Sequence, residues 1–284
     1  MTNETAVSRK TGLSHAALYA VLVVLTAVFI LPILIILMNS FKARFNISNA
    51  PFTLPNAKTF VGFQNYGTGI QSIGFLHAMG WSFFITVTSV AAIVFFTSMT
   101  AWYITRVRNK ATSGLYYAFV FSMIVPFQMV MFTMTKVANM LHLDNPVGII
   151  VIYLGFGAGM SVFMFSGFVK SLPIEIEEAA MIDGCNPLQL FFRIVFPILK
   201  PIVITVAILN AMWVWNDYLL PYLLIGTDYR TIPIAVQYLQ GGYGSVDMGA
   251  MMAVLIMAII PIVVFYAFCQ RYIIEGVVAG AVKG

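Results

Sequence analysis

The sequence predicts an all-α polytopic membrane protein with about six transmembrane helices, and three observations carry that expectation. Of 284 residues, 61% are apolar and only 9% charged, whereas a soluble domain carries about 25% charged residues. Long stretches contain no charge at all: Lys10 to Lys42, Lys58 to Arg106, Lys110 to Lys136, Asp144 to Lys170 and Asp247 to Arg271. The basic residues stand at the ends of these stretches, where they read as topology signals. A surface this poor in charge excludes a soluble globular protein. A nucleic-acid partner is excluded as well, because it needs basic residues gathered on one face despite the net charge of +5.

A helix needs roughly 20 apolar residues to cross the hydrocarbon core. Spans are expected at 15–38, 80–104, 112–135, 147–168, 201–224 and 249–270, within one transmembrane domain (1–284) whose membrane core is 15–270. The first follows Arg9 and Lys10 but is longer than a signal-peptide core, so it is expected to be retained. The stretch from Thr59 to Ala78 carries Gln64, Asn65, Gln71, His77 and four glycines and is too polar for a further span. With the N-terminus inside, Arg9, Lys10, Arg106, Arg108, Lys110, Lys170, Arg193, Lys200, Arg271 and Lys283 are cytoplasmic, against Lys42, Arg44, Lys58, Lys136 and Arg230 outside. Both termini are therefore expected in the cytoplasm.

Between the fourth and fifth spans lies SLPIEIEEAAMIDGCNPLQLFFRIVFPILKP, a cytoplasmic loop over 171–200 that predicts two short helices. Pro173 with Glu175, Glu177 and Glu178 suits a helix N-terminus, and Gly184 supplies its stop. Asn186 and Pro187 open the second helix, in which Leu188, Phe191, Phe192 and Val195 recur on one apolar face. Pro197 ends it, and Pro201 opens the fifth span. Helices this short do not stand alone in water. An acidic helix is poorly suited to an anionic leaflet, which favours a protein partner over lipid. Ala179, Ala180 and Gly184 allow close approach, while Glu178 and Asp183 offer carboxylates to a basic partner.

Glu178-Ala179-Ala180, Asp183, Gly184, Ile194, Pro197 and Pro201 match in spacing the EAA loop of binding-protein-dependent ABC importer permeases. The chain resembles that family over nearly its whole length: Ser40-Phe41-Lys42, Asn65-Tyr66, Trp215-Asn216-Asp217 and the ending Gln270-Arg271-Tyr272 through Ala279-Gly280-Ala281-Val282-Lys283-Gly284 look like its carbohydrate branch, a type I importer permease of maltose type. Cys185 departs from the usual alanine, a change its small size should permit. The resemblance implies a non-catalytic subunit whose loop, through Glu178, Ala179, Ala180, Asp183, Gly184, Ile194 and Pro197, couples to a cytosolic ATPase dimer. The chain has no Gly-x-x-x-x-Gly-Lys-Ser/Thr loop, so no cofactor is expected on it, and ATP and Mg belong to the partner ATPase. The implied partners also include a second homologous permease and an extracytoplasmic sugar-binding protein, in the bilayer of a bacterial cytoplasmic membrane. The tail (271–284), near Gly276, Gly280 and Gly284, is implied to reach the ATPases.

Asp217, flanked by Trp213 and Trp215, fits either an anchor at the membrane boundary or, with Asn216, part of the translocation path or its outer gate. The extracytoplasmic loop (225–248) mixes Tyr238, Gln240, Gly241, Gly242 and Tyr243. By resemblance it docks the binding protein more readily than it holds sugar; a solvated connector is the plain alternative. Pro221 and Pro261 are expected kink positions. His15, His77 and His142 are isolated, so no metal site is expected. Gly155-x-Gly157-x-Gly159 lacks the strand of a dinucleotide site, and Gly155 with Gly159 instead suggests a close helix contact. Cys185 and Cys269 imply no disulfide framework.

Overall fold

The computed structural model describes residues 3–239 and 247–281, with side-chain surroundings for 15–239 and 247–272. Among them the chain is helical, with one isolated antiparallel bridge between Lys42 and Phe60. In order the helices are α1 (Asn3–Ser40), α2 (Arg44–Asn49), α3 (Gln64–Ser72), α4 (Phe75–Arg106), α5 (Lys110–Ser122), α6 (Phe127–Met140), α7 (Gly148–Val169), α8 (Glu175–Ile182), α9 (Pro187–Gln189), a π-helical turn (Leu190–Val195), α10 (Phe196–Ile198), α11 (Lys200–Asn216), α12 (Leu219–Ile225), α13 (Ile232–Tyr238) and α14 (Met248–Ala281). Four helices are long and apolar enough to cross a membrane, or six if each of two bent pairs is one span. The chain divides into two compact units, 1–73 with 238–260 and 74–237 with 261–284.

Two expected spans are not straight. The third is α5 and α6, bent by 109°. Pro126 caps α6 in extended conformation, and a proline pushes the residue before it out of the helical region, so α5 cannot run through. The fifth was expected as one helix over 201–224, but the helix breaks at Asp217, which is extended, and resumes as α12.

In the smaller unit, the apolar surface of α1 is turned outward, with Phe29 75% and Val23 67% exposed, as suits a helix whose solvent is lipid. At its end, two short motifs meet across the loop that follows α1. The Asn65 amide donates to the carbonyls of Ser40 (2.8 Å) and Lys42 (2.9 Å), and the hydroxyls of Ser40 and Tyr66 lie 2.7 Å apart. The Phe41 ring packs against Phe60, Phe63 and Tyr66. Lys42 is buried and donates to the Ala50 carbonyl at 2.9 Å; burial holds its ammonium below the usual lysine range. Gly249 completes the cluster, since a Cβ there would come within 2.5 Å of the Asn65 amide oxygen. Asn65→Leu removes both donors from a buried site and is expected to cost about 2 kcal/mol. Faster protease cleavage of the loop between α1 and α4 in purified protein would register that loss.

The larger unit is built on α4 packed along α7, with α5 and α11 beside them. One apolar core joins Ile104, Phe165, Val169, Ala180, Phe191, Val195 and Leu199, linking the membrane helices to the loop 171–200. A second core joins Ile85, Ile149, Tyr153, Val214, Leu220 and Leu224. Within α7 the close contacts fall at Gly148, Gly157 and Gly159, whereas Gly155 faces open space. The expected Gly155–Gly159 seam is thus corrected: α5 ends at Ser122, beside Gly159, and the chain turns away before reaching the level of Gly155.

Candidate functional site: the loop between α7 and α11

The loop begins as expected. Glu175, Glu177 and Glu178 occupy the first turn of α8, where carboxylates offset the positive end of the helix dipole. Gly184 stops the helix at φ +86°, a left-handed conformation suited to glycine. The amides of Asp183, Gly184 and Cys185 bond to the carbonyls of Ala179, Met181 and Ala180. Asn186 then caps the second arm: its carboxamide oxygen accepts from the Gln189 amide (2.9 Å), and the Gln189 side chain accepts from the Asn186 amide (3.1 Å). This reciprocal pair is a capping box.

Beyond the cap the expected 3.6-residue periodicity fails. Leu190–Val195 is a π-helical turn, which widens the repeat and rotates the buried face. Leu190, Phe191, Val195 and Leu199 are buried, while Leu188 and Phe192, expected on the same inner face, are 61% and 41% exposed. Pro197 does not end the arm outright. It lies within α10, followed by a 77° bend into α11; lacking an N–H, it cannot serve the carbonyl four residues back, and this weakens the helix there.

The two sides of α8 differ. Ala180 is buried in the core and Ile194 packs against it, so these two residues seat the loop rather than present a surface. Glu178, Ala179, Asp183 and Gly184 are exposed, as is Pro197 on the second arm. Ile182, 85% exposed, and Met181, 53% exposed, add an apolar element to that outward face. Neither belongs to the residues that the sequence motif singles out. An isoleucine next to the motif aspartate, outside the inward spacing set by Glu177 and Ala180, was the available signal.

Glu177 was also passed over, having been read only as a dipole partner. It is 5% exposed and points inward. Its Oε1 accepts from Arg106 Nε at 2.8 Å and lies 2.6 Å from Arg106 Nη2, and its Oε2 accepts from Trp102 Nε1 at 2.9 Å. Successive helical side chains point about 100° apart. Of two adjacent glutamates on a docked helix, one therefore faces the protein and needs a partner there, and the basic end of the second span supplies it.

At the far end of α11, Asp217 is held from several sides. Its Oδ1 accepts from the Leu219 and Leu220 amides (3.1 and 3.4 Å), and its Oδ2 accepts from the Tyr153 hydroxyl (3.1 Å). Trp213 packs edge-on to Tyr153. Asn216 is exposed and bonds back to the Met212 carbonyl. An apolar cleft of about 470 Å³ lies between α4, α11 and the second part of α14, lined by Phe83, Val87, Ala207, Met212, Trp215 and Phe265 among others. Asp217→Ala leaves the Tyr153 hydroxyl and two amides without their acceptor, an expected loss of about 1–3 kcal/mol; thermal unfolding in detergent reads it. In the loop 225–248, Tyr238 closes α13. Gln240, Gly241, Gly242 and Tyr243 lie outside the described residues.

The family model for the inner membrane component of binding-protein-dependent transport systems matches residues 93–278, which include the loop and both of its arms. The chain belongs to this family. It is 37% identical over 262 residues to the probable starch degradation products transport system permease protein AmyC of Thermoanaerobacterium thermosulfurigenes, covering 92% of this chain and 94% of that one. It is 35% identical to the multiple sugar-binding transport system permease protein MsmG of Streptococcus mutans, covering 93% and 96%. The fold matches that of a chain from a bacterial ABC transporter that imports the acidic polysaccharide alginate, with a TM-score of 0.76, 22% identity and coverage of 93% and 96%. The chain is thus an ABC transporter permease with an all-α transmembrane fold.

Proposed function

We propose that the protein is the membrane subunit of an ATP-driven importer for an oligosaccharide, and that the outward face of α8 is where a separate cytosolic ATPase grips it. The observation that carries this reading is the two-sided α8. One side is locked into the core by Glu177 and Ala180, and the other leaves Glu178, Ile182, Asp183 and Gly184 uncovered. A short helix seated on one side and bare on the other is suited to entering a partner's cleft. Closure of an ATPase dimer with bound ATP and Mg would draw α8 along and move the helices packed on it as a rigid group, switching the spans between inward and outward access.

The lysine and arginine asymmetry supports a cytoplasmic position for this loop and both termini. The relatives' named cargoes, starch degradation products and multiple sugars, support a carbohydrate substrate. A second permease is proposed to cover apolar surfaces left bare here, including the cleft beside Trp215. The loop 225–248 is proposed to meet an extracytoplasmic sugar-binding protein, and Asn216 to lie near the outer end of the path. Asp217 serves that end by fixing the break between α11 and α12. Uptake of radiolabelled malto-oligosaccharides and raffinose by a gene-deletion strain tests the reading: it predicts loss of uptake of at least one, restored by the wild-type gene and abolished by ATP depletion. Uptake that survives ATP depletion and collapses with the ion gradient would contradict it.

A further inference from the structure

The pairing of Glu177 with Arg106 and Trp102 belongs to no surface that a partner reaches, yet it ties the proposed docking helix to a membrane span. Trp102 and Arg106 are one turn apart on α4, so both face the same carboxylate. Each Glu177 oxygen is engaged, and the Arg106 guanidinium also donates to the Leu172 carbonyl at 3.2 Å, which fixes the approach to α8 as well. The side chains are only 16% and 7% exposed. The other acids on or next to α8, Glu175, Glu178 and Asp183, are exposed. A buried ion pair of this kind contributes little net stability, because desolvation offsets the attraction, but two guanidinium nitrogens on one carboxylate oxygen and the indole N–H on the other fix its orientation.

We propose that Glu177 is a positioning residue that makes α8 and the end of α4 one mechanical body, so that movement imposed on Glu178 from outside is passed to the second span instead of being absorbed at the joint. The proposal rests on the reading of α8 as the ATPase-docking helix. An α8 held only by the Ala180 contact and the apolar second arm would be free to pivot when pulled. With Glu177 in place it is not.

The test uses the whole importer, purified with its co-expressed partner subunits in nanodiscs. Cys185 and Cys269 are replaced by serine, and spin labels are attached at two exposed positions through Glu175→Cys on α8 and Tyr103→Cys on α4. Electron–electron distance distributions are recorded without nucleotide and with ATP plus vanadate. With Glu177 intact, one narrow distance is expected in both states. In Glu177→Gln the nucleotide-free distance should persist, while ATP plus vanadate broadens or shifts it and the ATPase still co-purifies at the wild-type level. Distances in Glu177→Gln that match wild type in both states would overturn the proposal, as would broadening already present without nucleotide, or loss of the ATPase, since either marks a role in folding or docking. Arg106→Lys, which keeps the charge and loses the fork, provides a second variant should Glu177→Gln fail to fold, with the same outcomes deciding. Glu178→Lys separates the two claims: an ATPase that still co-purifies with that variant sinks the docking reading itself, whatever Glu177 does.

Discussion

Reversing the charge at Glu178 (Glu178→Lys) is expected to strip the ATPase from the purified complex while leaving membrane insertion intact. Glu178 is exposed and takes no part in the core contacts that seat α8, so its replacement has little to disturb within the chain. At an interface, removing one partner of a hydrogen-bonded charge pair costs about 2–5 kcal/mol, roughly thirtyfold or more in affinity. Reversal adds repulsion to that loss. Gly184→Val provides an independent approach to the same surface. A non-glycine residue in the left-handed conformation costs about 1–2 kcal/mol, and the added Cβ meets nothing within 4 Å inside the chain. A loss of docking well beyond that strain would measure how closely the partner approaches the backbone. Co-purification of the ATPase and its affinity for the permease in detergent read both variants.

A large effect on stability is expected within α7, where neighbouring backbone crowds Gly148 and Gly159 while Gly155 faces open space. At Gly148 a Cβ would lie 2.1 Å from the Leu143 carbonyl oxygen, and at Gly159 it would lie 2.8 Å from the Phe119 carbonyl oxygen and 2.6 Å from Ser122 Oγ. Backbone atoms cannot step aside as a flexible side chain does. Gly148→Ala and Gly159→Val should therefore force the preceding loop or α5 away from α7, with overpacking costs of about 1–3 kcal/mol each. Gly155→Ala, facing open space, should leave thermal stability in detergent unchanged or slightly raised, because alanine favours helix more than glycine does. Equal losses at all three positions would show that helix packing is not what selects glycine there.

These contrasts mark where the sequence was legible. Charge-free stretches reveal a membrane helix because lipid excludes charge whatever the tertiary arrangement, so α1, α4, α7 and the apolar part of α14 could be read directly. The stop at Gly184 and the cap at Asn186 were legible for a related reason: each satisfies backbone groups within a few residues. Bends were not. The 109° turn at Pro126 and the break at Asp217 depend on tertiary neighbours; Tyr153, more than sixty residues from Asp217 in sequence, donates to the carboxylate that in turn accepts from the first amides of α12. The π turn at Leu190–Val195 likewise defeats any reading based on a fixed period. In the loop 171–200, the residues that resemble a known family were legible as a set, but which of them face outward was not. Ala180 and Ile194 turned inward, and Glu177 emerged as the tie to Arg106, because orientation around a short helix is decided by what it packs on.

The claim on which the account depends is that the outward face of α8 is covered by the ATPase during its cycle, and maleimide labelling of Ile182→Cys in inside-out vesicles, with Cys185 and Cys269 replaced by serine, addresses it most directly. Adding the ATPase subunit should protect this position, 85% exposed in the isolated chain, and a short bifunctional reagent should join it to that subunit. Labelling that proceeds at the same rate with and without the ATPase, in vesicles that still hydrolyse ATP and release preloaded sugar from their lumen, would contradict that claim.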